Sequence, residues 1–82
     1  MSNTGTLDYG SGRYKITGGP DDGHYFHAGE GLEVLVRGQW VPAIIEADVN
    51  GRWYFLSPVD GPGLPSDMYG LPVRLARKWG RL

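Results

Sequence analysis

Glycine and proline occupy 14 and 6 of the 82 positions, and this punctuation constrains the fold more than any other feature of the chain. A break every few residues leaves no room for a long helix and favours short strands joined by tight turns. No 3.6-residue or heptad apolar stripe runs through the sequence, and no internal repeat or low-complexity tract interrupts it. The stretch GLEVLVRGQWVPAIIEADVNGRWYFLS, residues 31–57, instead carries apolar runs separated by two turn signals. Gly38-Gln39 suits a type II′ reversal, because glycine accepts positive φ at the first central position. Asn50-Gly51 is the pattern of a type I′ reversal.

Turn geometry sets register, and register sets which side chains share a face. With Gly38-Gln39 and Asn50-Gly51 as central pairs, Val36 faces Val41, Val34 faces Ala43 and Leu32 faces Ile45, while Ala47 faces Tyr54 and Ile45 faces Leu56. That side is apolar throughout and forms the expected core. The opposite side collects Glu33, Leu35, Arg37, Trp40, Pro42, Ile44, Glu46, Trp53, Phe55 and Ser57. Pro42 implies an edge or a bulge, since it cannot donate to a ladder. Further strands are expected at Arg13–Thr17 and within LPVRLAR, where Leu71, Val73 and Leu75 share a face; His24–Ala28 is a weaker candidate. SPVDGPGLPSDMYG reads as a loop with one helical turn. The expected fold is all-β, a five-stranded SH3-like barrel or a strongly bent antiparallel sheet. Residues 1–12 are expected as a flexible segment onto which Leu7 and Tyr9 can dock, 13–76 as the β domain and 77–82 as a basic tail.

Eighty-two residues suffice for one small domain and for no separate catalytic lobe. The absence of cysteine excludes disulfides and thiolate zinc sites and fits a reducing compartment, so the cytoplasm is the expected location. No run of about 18 apolar residues is present, and MSNTGTLDYG has neither the basic cluster nor the apolar stretch of a signal peptide. Net charge is −1, but its layout is lopsided. Residues 73–82 hold Arg74, Arg77, Lys78 and Arg81 without an acid, leaving nine acids against four bases in the preceding 72.

The order GTL, GRY, LEVLV, WVP, IE, WY and GLPVRL, running from Gly5 to Leu75, resembles a small bacterial domain of unknown function that is frequent on plasmids and integrated mobile elements. Its most specific parts are Gly12-Arg13-Tyr14, Leu32-Glu33-Val34-Leu35, Gly38, Trp40, Pro42, Ile45-Glu46 and Trp53-Tyr54. The resemblance implies an SH3-like fold and a mobile-element setting, and it implies no catalytic residues. The chain departs from that pattern in its longer SPVDGPGLPSDMYG loop and its basic tail.

Sites for chemistry are few. Asp21, Asp22, His24 and His27 cluster in DDGHYFH, but the flanking glycines do not build the helix on which an i, i+3 histidine pair would share a side, so a polar loop is expected rather than a metal site. No serine stands in a nucleophile motif. Glu33 and Glu46 share the outer face, yet a carboxylate pair needs a cleft to act on a glycoside. GPDDG is acidic and leads into no phosphate-binding helix. The chain is therefore expected to be no enzyme and to need no cofactor.

Two features remain. The outer aromatic face is expected either to be covered by Leu7, Tyr9 or Trp79, or to dock another protein, with Trp40, Trp53 and Phe55 as anchors inside a rim of Glu33, Glu46 and Asp48. An acidic body of this kind suits a phage or plasmid accessory protein that occupies a basic channel and inhibits a host defence complex such as a CRISPR effector. The alternative is single-strand nucleic-acid binding through Arg74, Arg77, Lys78, Trp79 and Arg81, cations interleaved with an aromatic ring.

Overall fold

The computed structural model describes residues 4–58, 60 and 63–76. Six strands form one antiparallel sheet: β1 (Gly5–Gly10), β2 (Arg13–Thr17), β3 (Glu30–Val36), β4 (Gln39–Ala47), β5 (Trp53–Leu56) and β6 (Pro72–Leu75). Their spatial order is β2-β1-β6-β3-β4-β5. The sheet is bent but not closed into a barrel, so the bent-sheet form of the expected fold is the one adopted. No helix occurs among the described residues, including those of the loop between β5 and β6.

β1 occupies residues expected to be a flexible segment. Leu7 alternates with Thr6 and Asp8 and is 1% exposed. The Ser11-Gly12 reversal, with φ of 57° and 79°, joins β1 to β2 as a two-residue hairpin turn in which both central residues are left-handed, as type I′ requires. The same geometry recurs between β3 and β4, but one residue earlier than expected. Val36 pairs with Gln39, and the central residues are Arg37 and Gly38, at φ 51° and 77°. Every β3–β4 pair is consequently displaced by two residues, so that Val34 faces Val41 and Leu32 faces Ala43. A shift of two preserves side-chain parity, and Leu32, Val34, Ala43 and Ile45 still point inward with no exposed surface.

The next reversal differs by a single residue, and the consequence is large. Gly51 donates to the Asp48 carbonyl at 3.0 Å, and Asp48 N–H donates to the Arg52 carbonyl at 2.9 Å. Gly51 sits at φ 80°. This is a three-residue loop, a type I turn followed by a left-handed glycine, rather than a two-residue Asn-Gly turn. The Asp48 carboxylate selects it by accepting the backbone N–H groups of Asn50 and Arg52, each at 2.9 Å. Ala47 then faces Trp53, and Ile45 faces Phe55. Trp53 and Phe55 thus pack against the core, not on the outer face where they were expected, while Tyr54 and Leu56 turn outward.

The core unites Leu7, Ile16, Phe26, Leu32, Val34, Ala43, Ile45, Met68 and Val73. Phe26 and Met68 come from connecting segments, and Leu64 packs beside them. The strap 23–26 runs along the free side of β2: Ile16 N–H donates to the His24 carbonyl at 2.9 Å, Gly23 N–H to Ile16 at 2.8 Å and Phe26 N–H to Tyr14 at 2.9 Å. It covers one sheet edge, a common protection against unwanted pairing. Pro42 is flanked by β3 alone, because rungs to β5 begin at Ile44; there β4 is locally an edge and tolerates a residue without an N–H.

Candidate functional site

The outer face is organised around Trp40. Arg74 lies opposite Glu33 across the β3–β6 ladder, and its Nε donates to Glu33 Oε1 at 2.6 Å. The guanidinium carbon stands 4.1 Å from the centre of the Trp40 ring. A planar, delocalised cation stacks on an indole face while its edge donates to a carboxylate, a combination lysine cannot reproduce. Glu33, Arg74 and Trp40 thus form a chain of contacts over β6, β3 and β4. Leu35 pairs with Trp40, and Ile44 pairs with Leu56, extending the apolar surface to the β5 edge. Tyr54 and Leu56 are 41% and 45% exposed.

Of the residues expected to anchor a partner, Trp40 lies on this face and Trp53 and Phe55 do not. Trp53 is covered from within: its ring meets Tyr14 edge-on at 6.0 Å, and Tyr14 in turn meets Tyr9 at 4.8 Å. Leu7 is in the core instead of serving as a cover. Glu33 and Glu46 share the outer face, with Glu46 opposite Tyr54, whereas Asp48 is engaged in its turn rather than in a rim. Tyr54, Leu56, Leu35 and Ile44 complete the face. Tyr54 and Leu56 escape a sequence reading because the parity of β5 depends on the loop type, although the Asp48–Asn50 spacing is a signal for the longer loop.

Arg74, expected among the nucleic-acid contacts, is committed to Glu33 and Trp40. Arg77, Lys78, Trp79 and Arg81 lie outside the described residues. The histidines each have a partner: His24 Nε2 is 2.6 Å from Glu30 Oε2, and Arg13 Nη2 donates to His27 Nδ1 at 2.6 Å. Glu30 Oε1 also accepts the His27 backbone N–H at 3.0 Å, so this acid ties the strap, through His24, and the residue that follows it to β3. Among the described residues no three histidine, aspartate or glutamate side chains converge as a metal site, and no helix is long and apolar enough to cross a membrane. Tyr14 packs between Tyr9 and Trp53. Burial of its phenol raises its pKa above 10, and Tyr9 and Asp67 add to the shift.

Residues 5–75 match the family described as Domain of unknown function (DUF5348). The chain is also similar to a protein from Ruminococcus gnavus whose crystal structure was determined by a structural genomics consortium. The two are 34% identical, the match covers 88% of this chain and 99% of the other, and the TM-score is 0.68. No protein of curated function matches the chain. The chain belongs to the DUF5348 family.

Proposed function

We propose that this family member is a non-enzymatic protein-binding module that docks through the outer face of β3, β4, β5 and β6. The observation that carries the reading is the Glu33–Arg74–Trp40 assembly, bordered by Leu35, Ile44, Tyr54 and Leu56. Tryptophan, tyrosine and arginine dominate binding energy at protein interfaces. A Trp held from one side by a stacked, ion-paired Arg loses little freedom when a partner closes over it, and that preorganisation favours affinity. Glu46 supplies acid beside this surface, and the described residues carry nine acids against five bases. The complementary partner is a protein with a basic groove. In its narrower form, the reading is a cytoplasmic accessory protein of a phage or plasmid that inhibits a host defence complex; its support is the resemblance of the sequence and the charge layout alone.

The test is a comparison of wild type with Trp40→Ala/Leu56→Ala and, as a folded control, Lys15→Ala, in capture from a bacterial host lysate followed by titration of the recovered partner. Loss of about 2 kcal/mol or more of binding in the double variant is expected for a hot-spot centre. Equal binding by all three proteins would refute the face. Salt-sensitive binding of single-stranded oligonucleotides that survives Trp40→Ala would favour the nucleic-acid alternative.

A further inference from the structure

Beside β1 and β2, which the docking face does not use, lies a surface pocket of about 240 Å³ lined by Thr6, Leu7, Asp8, Thr17, Tyr69 and Gly70. Its floor is the outer side of the β1–β2 hairpin, where Thr6 pairs with Thr17 and Asp8 with Lys15. The Leu7 side chain points the other way, into the core. Tyr69 and Gly70 form the remaining wall, because Gly70 N–H donates to the Leu7 carbonyl at 2.7 Å and Leu7 N–H donates to the Leu71 carbonyl at 2.8 Å. This run-in to β6 is thus fixed alongside β1, and it carries Tyr69 with 65% of its surface exposed. The pocket is smaller than the roughly 300–1,000 Å³ typical of sites that enclose a drug-sized ligand, so it suits a single head group.

The hydrogen bonds of the floor determine what that group must be. Thr6 Oγ1 donates to the Thr17 carbonyl at 3.2 Å, and Thr17 Oγ1 donates to Asp8 Oδ2 at 3.2 Å. Asp8 Oδ1 accepts the Tyr9 N–H at 2.8 Å. A hydroxyl has a single proton, and both threonine protons are donated within the floor, whereas each of these side-chain oxygens keeps a lone pair. The polar side chains of the floor therefore present acceptors alone, around a carboxylate that forms no ion pair among the described residues. Lys15 is the cation placed to neutralise it, yet its Nζ stands 5.6 Å from the centre of the Tyr25 ring and 4.0 Å from where a Cβ would stand on Gly10. Asp22 adds a second acid beyond Thr17, its Oδ1 accepting the Gly18 N–H at 2.6 Å. An anion would be repelled here, and a neutral hydroxyl ligand would leave the charge uncompensated. A cation with several N–H donors answers both the charge and the lone pairs, and the Tyr69 ring offers it a face.

We propose that this pocket is a binding site for a guanidinium group, carried by an arginine side chain or by a small free compound, with Asp8 as its carboxylate, Thr6 and Thr17 as further acceptors and Tyr69 against its plane. Guanidinium holds its N–H donors in a fixed planar fork, which matches acceptors spread over two strands better than the compact ammonium of lysine does. The site is separate from Trp40 and the face around it, so its test can fail while the proposed function stands.

Titration of the isotope-labelled full chain with methylguanidinium, followed by NMR, reads the site directly. The Tyr9, Thr17 and Gly70 amide signals are expected to shift saturably, while those of Leu32 and Val34 stay in place and report an intact fold. Asp8→Asn keeps an acceptor for the Tyr9 N–H but removes the charge, and it is expected to weaken binding by about tenfold or more. Tyr69→Ala, at an exposed position outside the core, is expected to weaken it about two- to fivefold. Tetramethylammonium, equal in charge but without N–H donors, is expected to give no saturable shift. Acetyl-Gly-Arg-Gly amide binding more tightly than methylguanidinium would support the proposal with an arginine side chain as the source, and equal affinity would support it with a small compound. Equal binding by wild type and Asp8→Asn would overturn it, as would tetramethylammonium binding as tightly as methylguanidinium. Shifts that never saturate and extend equally to Glu46 and Asp48 would also overturn it, since they mark a general counter-ion effect.

Discussion

Phe26 has no exposed surface although it belongs to a strap between strands. Its backbone N–H is donated to Tyr14 and its ring meets His24 edge-on at 5.1 Å, so backbone pairing, aromatic contact and core burial converge on one residue. Phe26→Ala is expected to cost about 3–5 kcal/mol, a large share of the roughly 4–12 kcal/mol available to a domain of this size. Phe26→Leu, which keeps most of the volume, is expected to cost under about 1.5 kcal/mol. Urea denaturation of both variants checks the ranking, and equal losses would show that the site tolerates a cavity. Tyr14 carries a different consequence. Its folded pKa stands above its unfolded value, so the folded state retains a proton that the unfolded chain gives up above about pH 10. That contribution is complete below pH 10 and is lost as pH rises through the folded value. Tyr14→Phe is therefore expected to flatten the fall in melting temperature above pH 10, and an unchanged alkaline slope would contradict it.

At the scale of elements, turns decide what each strand presents. Arg37 occupies a left-handed conformation at φ 51°, which costs an L-residue about 1–2 kcal/mol relative to its preferred regions. Asn suits that conformation better in a type I′ turn, so Arg37→Asn is expected to stabilise the domain by about 0.5–1 kcal/mol. A thermal melt showing destabilisation would refute the turn assignment. The β3–β4 reversal is displaced from Gly38-Gln39 to Arg37-Gly38, yet the inward set survives because the register moves by two. The β4–β5 loop has one residue more than the Asn-Gly pattern implies, and one residue exchanges Trp53 and Phe55 for Tyr54 and Leu56. The second difference has a local cause. Apolar residues lie on both sides of β5, so alternation alone does not distinguish inside from outside there, whereas Glu33, between Leu32 and Val34, marks the faces of β3 clearly. β1 is not legible in the sequence for a related reason: Leu7 is the one large aliphatic in a polar stretch, and its strand forms because β2 and β6 flank it.

Across the whole molecule, protection should follow position in the sheet. β3 lies between β6 and β4, and β2 is sheltered by the strap, whereas β5 is an edge with no strand beyond it among the described residues. The amides of Leu32 and Val34 are expected to exchange only through global unfolding, and those of β5 through smaller openings. Hydrogen exchange giving β5 the same protection as β3 would show that its edge is covered. The candidate site also belongs to this scale. Arg74 and Glu33 are 41 residues apart, and nothing near either one in the chain foretells that β6 inserts between β1 and β3. The sequence alone determined an all-β chain, the inward set Leu32, Val34, Ala43 and Ile45, and the presence of an aromatic outer surface, because glycine spacing and residue alternation are local properties. Only the tertiary structure decided which aromatics that surface holds and that Arg74 locks Trp40, because loop length, strand order and long-range pairing arise from contacts between segments distant in the chain.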